Sequence, residues 1–153
     1  MSIAAKLKSL GIELPTPAKP VANYVPWVKS GNLIFLSGQL PILNGKLSHV
    51  GQVGQTASVE IAAGEARQCA INLLTQMREA CDGDLNLVKR IVKITGFVAC
   101  TPLFTDHASV MNGASNFFVE VFGEIGRHAR SSVGMTSLPL NAVVEIEAII
   151  EVA

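Results

Sequence analysis

Two stretches of the chain repeat apolar residues at helical spacing. From about Val59 to Cys81, Ile61, Ala62, Ala66, Cys69, Leu73, Met77 and Ala80 trace one stripe. From about Asp106 to Phe122, Val110, Ala114, Phe117, Phe118 and Val121 trace another, with Gly123 or Gly126 as the stop. A shorter amino-terminal helix is predicted where Ser2 can cap Ile3, Leu7 and Leu10 and Gly11 can end the turn. Pro15, Pro17 and Pro20 then hold Ile12 to Val21 extended.

The remaining segments carry β-patterning. Tyr24 to Val28 and Leu33 to Leu40 read as an early hairpin across Lys29-Ser30-Gly31-Asn32, and Asn44-Gly45 marks a second turn before the loop Leu47 to Thr56. Asp82-Gly83-Asp84 closes the long helix, Leu85 to Lys89 suits one helical turn, and Val88 to Cys100 reads as a strand. In the last residues two β-segments meet at Leu138-Pro139, read as a hairpin. The first carries Val133 and Met135 on one face and Arg130, Ser132, Gly134 and Thr136 on the other; the second sets Val144, Ile146, Ala148, Ile150 and Val152 against Val143, Glu145, Glu147, Ile149 and Glu151. The order β-β-α-β-α-β-β predicts one α+β domain over residues 1–153, with 1–20 as a helix and extended arm and both long helices on one sheet face.

That architecture leaves a sheet face to be covered. The chain is 49% apolar and only 16% charged, with mean hydropathy +0.40, so a symmetric oligomer is the simplest cover. Twelve basic and twelve acidic residues cancel, and no basic run exceeds Lys89-Arg90, which disfavours nucleic acid as a partner. Cys69, Cys81 and Cys100 have no ligand spacing, which predicts no metal site, and unpaired thiols fit a reducing cytoplasm. No apolar run approaches the roughly 20 residues needed to cross a bilayer, and the amino terminus has no signal-peptide pattern, so a soluble cytoplasmic protein is expected.

An arginine and a glutamate in apolar strands need an answer, because burying either charge alone is costly. Arg130 paired with Glu145 or Glu147 across the hairpin or a subunit boundary is one answer; a bound ligand is the other. Glu147 and Glu151 suit solvent or an interface, and Tyr24 suits a packing role and a cleft wall equally. His49, His107 and His128 are scattered and form no catalytic pair; His128 alone lies next to the candidate site.

Four pieces of the chain resemble the RidA/YjgF/YER reactive-intermediate deaminases: Tyr24 with V-x-x-G-N-L-I-F-L-S-G-Q-L-P (28–41), A-R-Q-C-A-I-N-L-L (66–74), V-K-I-T-G-F-V (92–98), and A-R-S-S-V followed by L-P and V-V-E-I-E-A-I-I. The resemblance implies a chorismate mutase-like sandwich, with two helices on one mixed sheet, assembled as a homotrimer with clefts between subunits. It implies hydrolysis of enamines and imines such as 2-aminoacrylate to 2-keto acids and ammonia, with no metal or cofactor. It puts the ligand-binding arginine at Arg130, the acid at Glu145, a main-chain contact at Ser132 and a cleft tyrosine at Tyr24. Residues 1–20, the loop 44–56 and Pro26-Trp27 depart from the compact pattern, and the chain is more similar to the branch labelled "putative endoribonuclease". Two other functions fit the same resemblance: a non-catalytic binder of small carboxylates, and an endoribonuclease, which would want a basic surface and a histidine pair that the sequence does not display.

Overall fold

The computed structural model describes residues 1–17, 19 and 22–153; the part of the expected extended connector on Ala18, Pro20 and Val21 lies outside the described residues. In chain order the elements are α1 (Ile3–Ser9), β1 (Trp27–Ser30), β2 (Leu33–Gln39), α2 (Val59–Ala80), β3 (Val88–Ala99), α3 (His107–Phe122), β4 (Ala129–Met135) and β5 (Val144–Val152). Side chains cap α1, α2 and α3: Ser2 accepts from the Ala5 amide, Ser58 from Ile61 and Asp106 from Ser109. A seven-residue helix such as α1 is marginal alone. It is held by burial of Leu7 and by Asn86 Oδ1 accepting from the Ile3 amide.

The long helices fall where the periodicity puts them. Ala62, Ala66, Cys69, Leu73 and Met77 of α2 and Val110, Ala114, Phe117, Phe118 and Val121 of α3 are buried. Gly113 lets the two helices approach closely, because a Cβ there would overlap the Ala63 backbone. The early hairpin is narrower than expected: Lys29 and Ser30 belong to β1, and the turn is Gly31-Asn32, with Gly31 at φ +60°. Leu85–Leu87 form one 3-10 turn, and Asn44 (φ 53°) and Gly45 (φ 76°) make the predicted second turn.

Among the described residues five strands form one mixed sheet in the order β1-β2-β5-β3-β4. The terminal hairpin is therefore corrected. β4 pairs parallel with β3, β5 pairs antiparallel with β3, and β3 lies between the two segments. The physical reason is the crossover: β3, α3 and β4 form a strand-helix-strand unit, which delivers β4 parallel to the sheet edge, where a two-residue turn could not. The return to β5 is made by Pro139–Asn141, with Leu140 and Asn141 at φ 57° and 61°.

Val144, Ile146, Ala148, Ile150 and Val152 face the helices and are buried, as the alternation predicts. The other sheet face carries two cross-strand rows, Val28-Phe35-Ile149-Lys93 and Glu145-Phe97-Val133, with Val28 53%, Phe35 44% and Val133 41% exposed. No helix of the described residues is long and apolar enough to cross a membrane.

Candidate functional site

Arg130 is the second residue of the edge strand β4, opposite Ile94 of β3. Ile94 is fully buried beneath the helices, and paired residues in a sheet point to the same side, so Arg130 leaves the sheet on the α3 side. There its Nη1 donates to Asn112 Oδ1 at 2.9 Å and to Ser115 Oγ at 3.1 Å. Asn112 and Ser115 are three residues apart on α3 and share one side of it. The expected ion pair with Glu145 or Glu147 across a hairpin is not formed, because β3 separates the strands; among the described residues no carboxylate lies within 4.0 Å of Arg130.

His128 completes this cluster. Its Nδ1 is 2.7 Å from the Gly126 carbonyl, its Nε2 is 2.9 Å from Ser115 Oγ, and its ring meets Phe118 edge-on at 5.9 Å. Burial lowers its pKa, with the Arg130 charge adding to the effect, while the Gly126 hydrogen bond opposes both. Ser132, two residues on from Arg130, has a buried hydroxyl with no hydrogen-bond partner among the described residues. Its register partner Gly96 leaves the space that Met111 fills.

Glu145 stands elsewhere. It pairs with Phe97, which pairs with Val133, so it projects from the face opposite Arg130. It is half-buried, and burial, with the neighbouring Glu147 charge, raises its pKa. No cation pairs with it among the described residues. Gly38 of β2 lies directly against it: a Cβ at Gly38 would stand 2.8 Å from Glu145 Oε1.

Tyr24 immediately precedes a segment tied to β2. The Ser37 amide donates to the Pro26 carbonyl at 2.9 Å and the Ser37 hydroxyl to the Val25 carbonyl at 2.7 Å, which fixes the segment after Tyr24 beside Ser37-Gly38. The Tyr24 side chain is 55% exposed. One chain thus sets Gly38 against Glu145 and, from the other face of the sheet, presents Arg130 and Ser132. Sequence reasoning missed Asn112, Ser115 and Gly38. The signal for the first two is a pair of polar residues at i, i+3 beside the apolar stripe of α3; Gly38 lies inside the quoted S-G-Q.

A third polar cluster also escaped the sequence. Glu65 of α2 is buried, and its Oε1 accepts from Ser48 Oγ at 2.6 Å and lies 2.8 Å from His49 Nδ1. His107 sits at the start of α3 with Nε2 3.5 Å from Cys100 Sγ. All three cysteines are free and buried, and burial drives the Cys69 thiol well above its ordinary pKa.

The chain is similar to known proteins over nearly its full length. It is 45% identical over 150 residues to the Trypanosoma cruzi protein TCP17, covering 97% of this chain and 93% of that one. It is 28% identical over 139 residues to a Dermatophagoides farinae 2-iminobutanoate/2-iminopropanoate deaminase, covering 91% and 93%. Among solved structures, the Agrobacterium tumefaciens protein Atu1372, of unknown function, superposes with a TM-score of 0.93 at 49% identity, covering 99% of this chain and 92% of that one. The model of the family described as "YjgF/chorismate mutase-like, putative endoribonuclease" matches residues 4–152, and the chain belongs to that family.

Proposed function

We propose that the protein hydrolyses small reactive imino acids and their enamine tautomers to 2-keto acids and ammonia, in clefts between the subunits of a homotrimer. The observation that carries this reading is the state of Arg130. Its Nη1 is held by two neutral oxygens, while among the described residues its Nε and Nη2 donate to nothing. An oriented guanidinium with one free edge offers two parallel donors to a carboxylate.

The second support is Glu145, a half-buried carboxylate with a raised pKa and no cation beside it. Such a group is a stronger base than an ordinary carboxylate. In the proposed reaction the enamine takes a proton from water at C3 to give the iminium ion. A water oxygen then attacks C2, the C=N π pair moves onto nitrogen, and Glu145 takes the water's proton. That proton passes to nitrogen; as the C–N bond breaks its pair leaves with ammonia, a lone pair of the hydroxyl oxygen forms the keto C=O, and the hydroxyl proton is released to water, replacing the one taken up at C3.

Arg130 and Glu145 leave opposite faces of one sheet, so a cleft holding both takes them from two subunits. The uncovered face with Val28, Phe35, Phe97, Val133 and Ile149 is the surface on which the copies would meet. Tyr24 would wall the Glu145 side, and the Ser132 main chain would orient the substrate on the Arg130 side. The free thiols fit a reducing compartment, and we assign the protein to the cytoplasm.

Ribonuclease activity has weaker support. His107 begins α3 and His128 lies beyond its end, while His49 is engaged by Glu65, so no two histidines are set to share one phosphate. The deciding test is ammonia release from freshly generated 2-aminoacrylate. Wild-type protein should accelerate it and Arg130→Ala should not. No acceleration, with keto acid still binding at Arg130, would leave the non-catalytic carboxylate binder as the function.

A further inference from the structure

The contacts around Arg130 have a direction. The Gly126 carbonyl can only accept, so His128 Nδ1 at 2.7 Å carries the hydrogen. In the neutral imidazole Nε2 is then a bare acceptor, and the group facing it, at 2.9 Å, is the Ser115 hydroxyl, which must donate. A Ser115 hydroxyl committed to His128 turns its lone pairs toward Arg130, whose Nη1 donates to it at 3.1 Å. The other Nη1 hydrogen goes to Asn112 Oδ1. Hydrogen bonds therefore run Arg130 to Ser115 to His128 to Gly126, each with one polarity, and Phe118 holds the imidazole edge-on.

We infer that His128 is a positioning residue for Arg130, acting through Ser115 to fix the guanidinium plane so that its Nε–Nη2 edge stays free for a ligand carboxylate. The inference rests on the carboxylate-binding reading above. Without the imidazole acceptor, the Ser115 hydroxyl is free to rotate and to point its own hydrogen at Nη1. The guanidinium then keeps only Asn112, and one contact does not fix a plane. His128 touches no substrate; it sets the geometry of the group that does.

The test uses the full-length protein in its native assembly, with pyruvate and its uncharged analogue pyruvamide as probes. Ser115→Ala and His128→Phe should weaken pyruvate binding about tenfold, the loss expected for one hydrogen bond to a charged group, and leave pyruvamide binding unchanged. His128→Gln, which offers an amide oxygen where Nε2 stood, should restore most of the preference for the carboxylate. A purely structural role would lower the melting temperature without changing that preference.

The second readout needs no ligand. In 15N NMR spectra the Arg130 guanidinium should rotate slowly in the wild type and in His128→Gln, and freely in Ser115→Ala and His128→Phe. Equal pyruvate preference and equal rotation across all four proteins would overturn the inference. Failure of the wild type to bind pyruvate would instead defeat the carboxylate reading, and the rotation rates would then decide the relay by themselves.

Discussion

Arg130 and Glu145 lie on opposite faces of the same sheet. Arg130 pairs with Ile94 on the helix side, Glu145 pairs with Phe97 on the uncovered side, and β3 runs between their strands. Two strand spacings and three residues of offset set their backbones on the order of 10 Å apart in each direction, and the sheet itself blocks contact. A site that uses both is a site between copies. Mixing two inactive proteins checks this: Arg130→Ala and Glu145→Gln subunits, unfolded and reassembled together, should regain about a quarter of wild-type turnover by random assembly. Sites completed within one chain would regain none.

Arg130→Lys should weaken 2-keto acid binding nearly as much as Arg130→Ala. One ammonium cannot donate to Asn112, Ser115 and both carboxylate oxygens in the plane the guanidinium defines. Calorimetric titration of the three proteins measures it. Lysine binding as tightly as arginine would show that only the charge matters.

Gly38→Ala tests the support of the carboxylate. The added Cβ would stand 2.8 Å from Glu145 Oε1 and 3.0 Å from Cδ, and Gly38 is not in the positive-φ region, so the backbone accepts alanine and the carboxylate must move. Turnover should fall about tenfold or more while stability changes by less than about 1 kcal/mol. A thermal melt and a steady-state assay on one preparation separate these effects.

Gly113→Ala tests the helix layer instead. The nearest atoms to its Cβ belong to the Ala63 backbone of α2, which cannot rotate away as a side chain can. The cost should be about 1–3 kcal/mol, with both helices forced apart. Denaturant unfolding measures it, and an unchanged midpoint would mean that the helices are not in close contact.

The helices, the core face of β5 and the Asn44-Gly45 turn were legible because periodicity and turn chemistry are local signals. The neighbour of β4 was not. A short connection carrying Leu138-Pro139 between two β-segments looks like a hairpin, and only the α3 crossover, a long-range constraint, puts β3 between them. The same long-range constraint separates Arg130 from Glu145. Each is visible in the sequence as a charge needing an answer, but strand alternation alone cannot tell which face of β4 meets the helices. Val133 and Met135, the apolar side of β4, face away from the helices, and Arg130 faces toward them. Asn112 and Ser115 could not be tied to Arg130 until that face was known.

Glu145 carries the sharpest pH prediction. Burial, then the Glu147 charge, raises its pKa above the ordinary glutamate value. A base must be ionised, so turnover should rise as pH increases through that raised pKa, giving an acidic limb displaced above an ordinary glutamate's. The stability sign is opposite. Between the ordinary and the raised value the folded chain holds a proton that the unfolded chain has released, so stability falls as pH rises through this window. Its contribution is complete only below the ordinary value. Glu145→Gln cannot ionise, so it should lose both the limb in turnover and this decline in melting temperature, while keto-acid affinity changes little. A glutamate serving only as the structural partner of a neighbouring subunit's arginine predicts the reverse. Its pKa would be depressed, stability would fall as pH drops, and Glu145→Gln would loosen the assembly at neutral pH. Melting temperature and turnover measured from pH 4 to 8 on wild type and Glu145→Gln decide between them. Retained turnover with a loosened assembly would defeat the catalytic assignment.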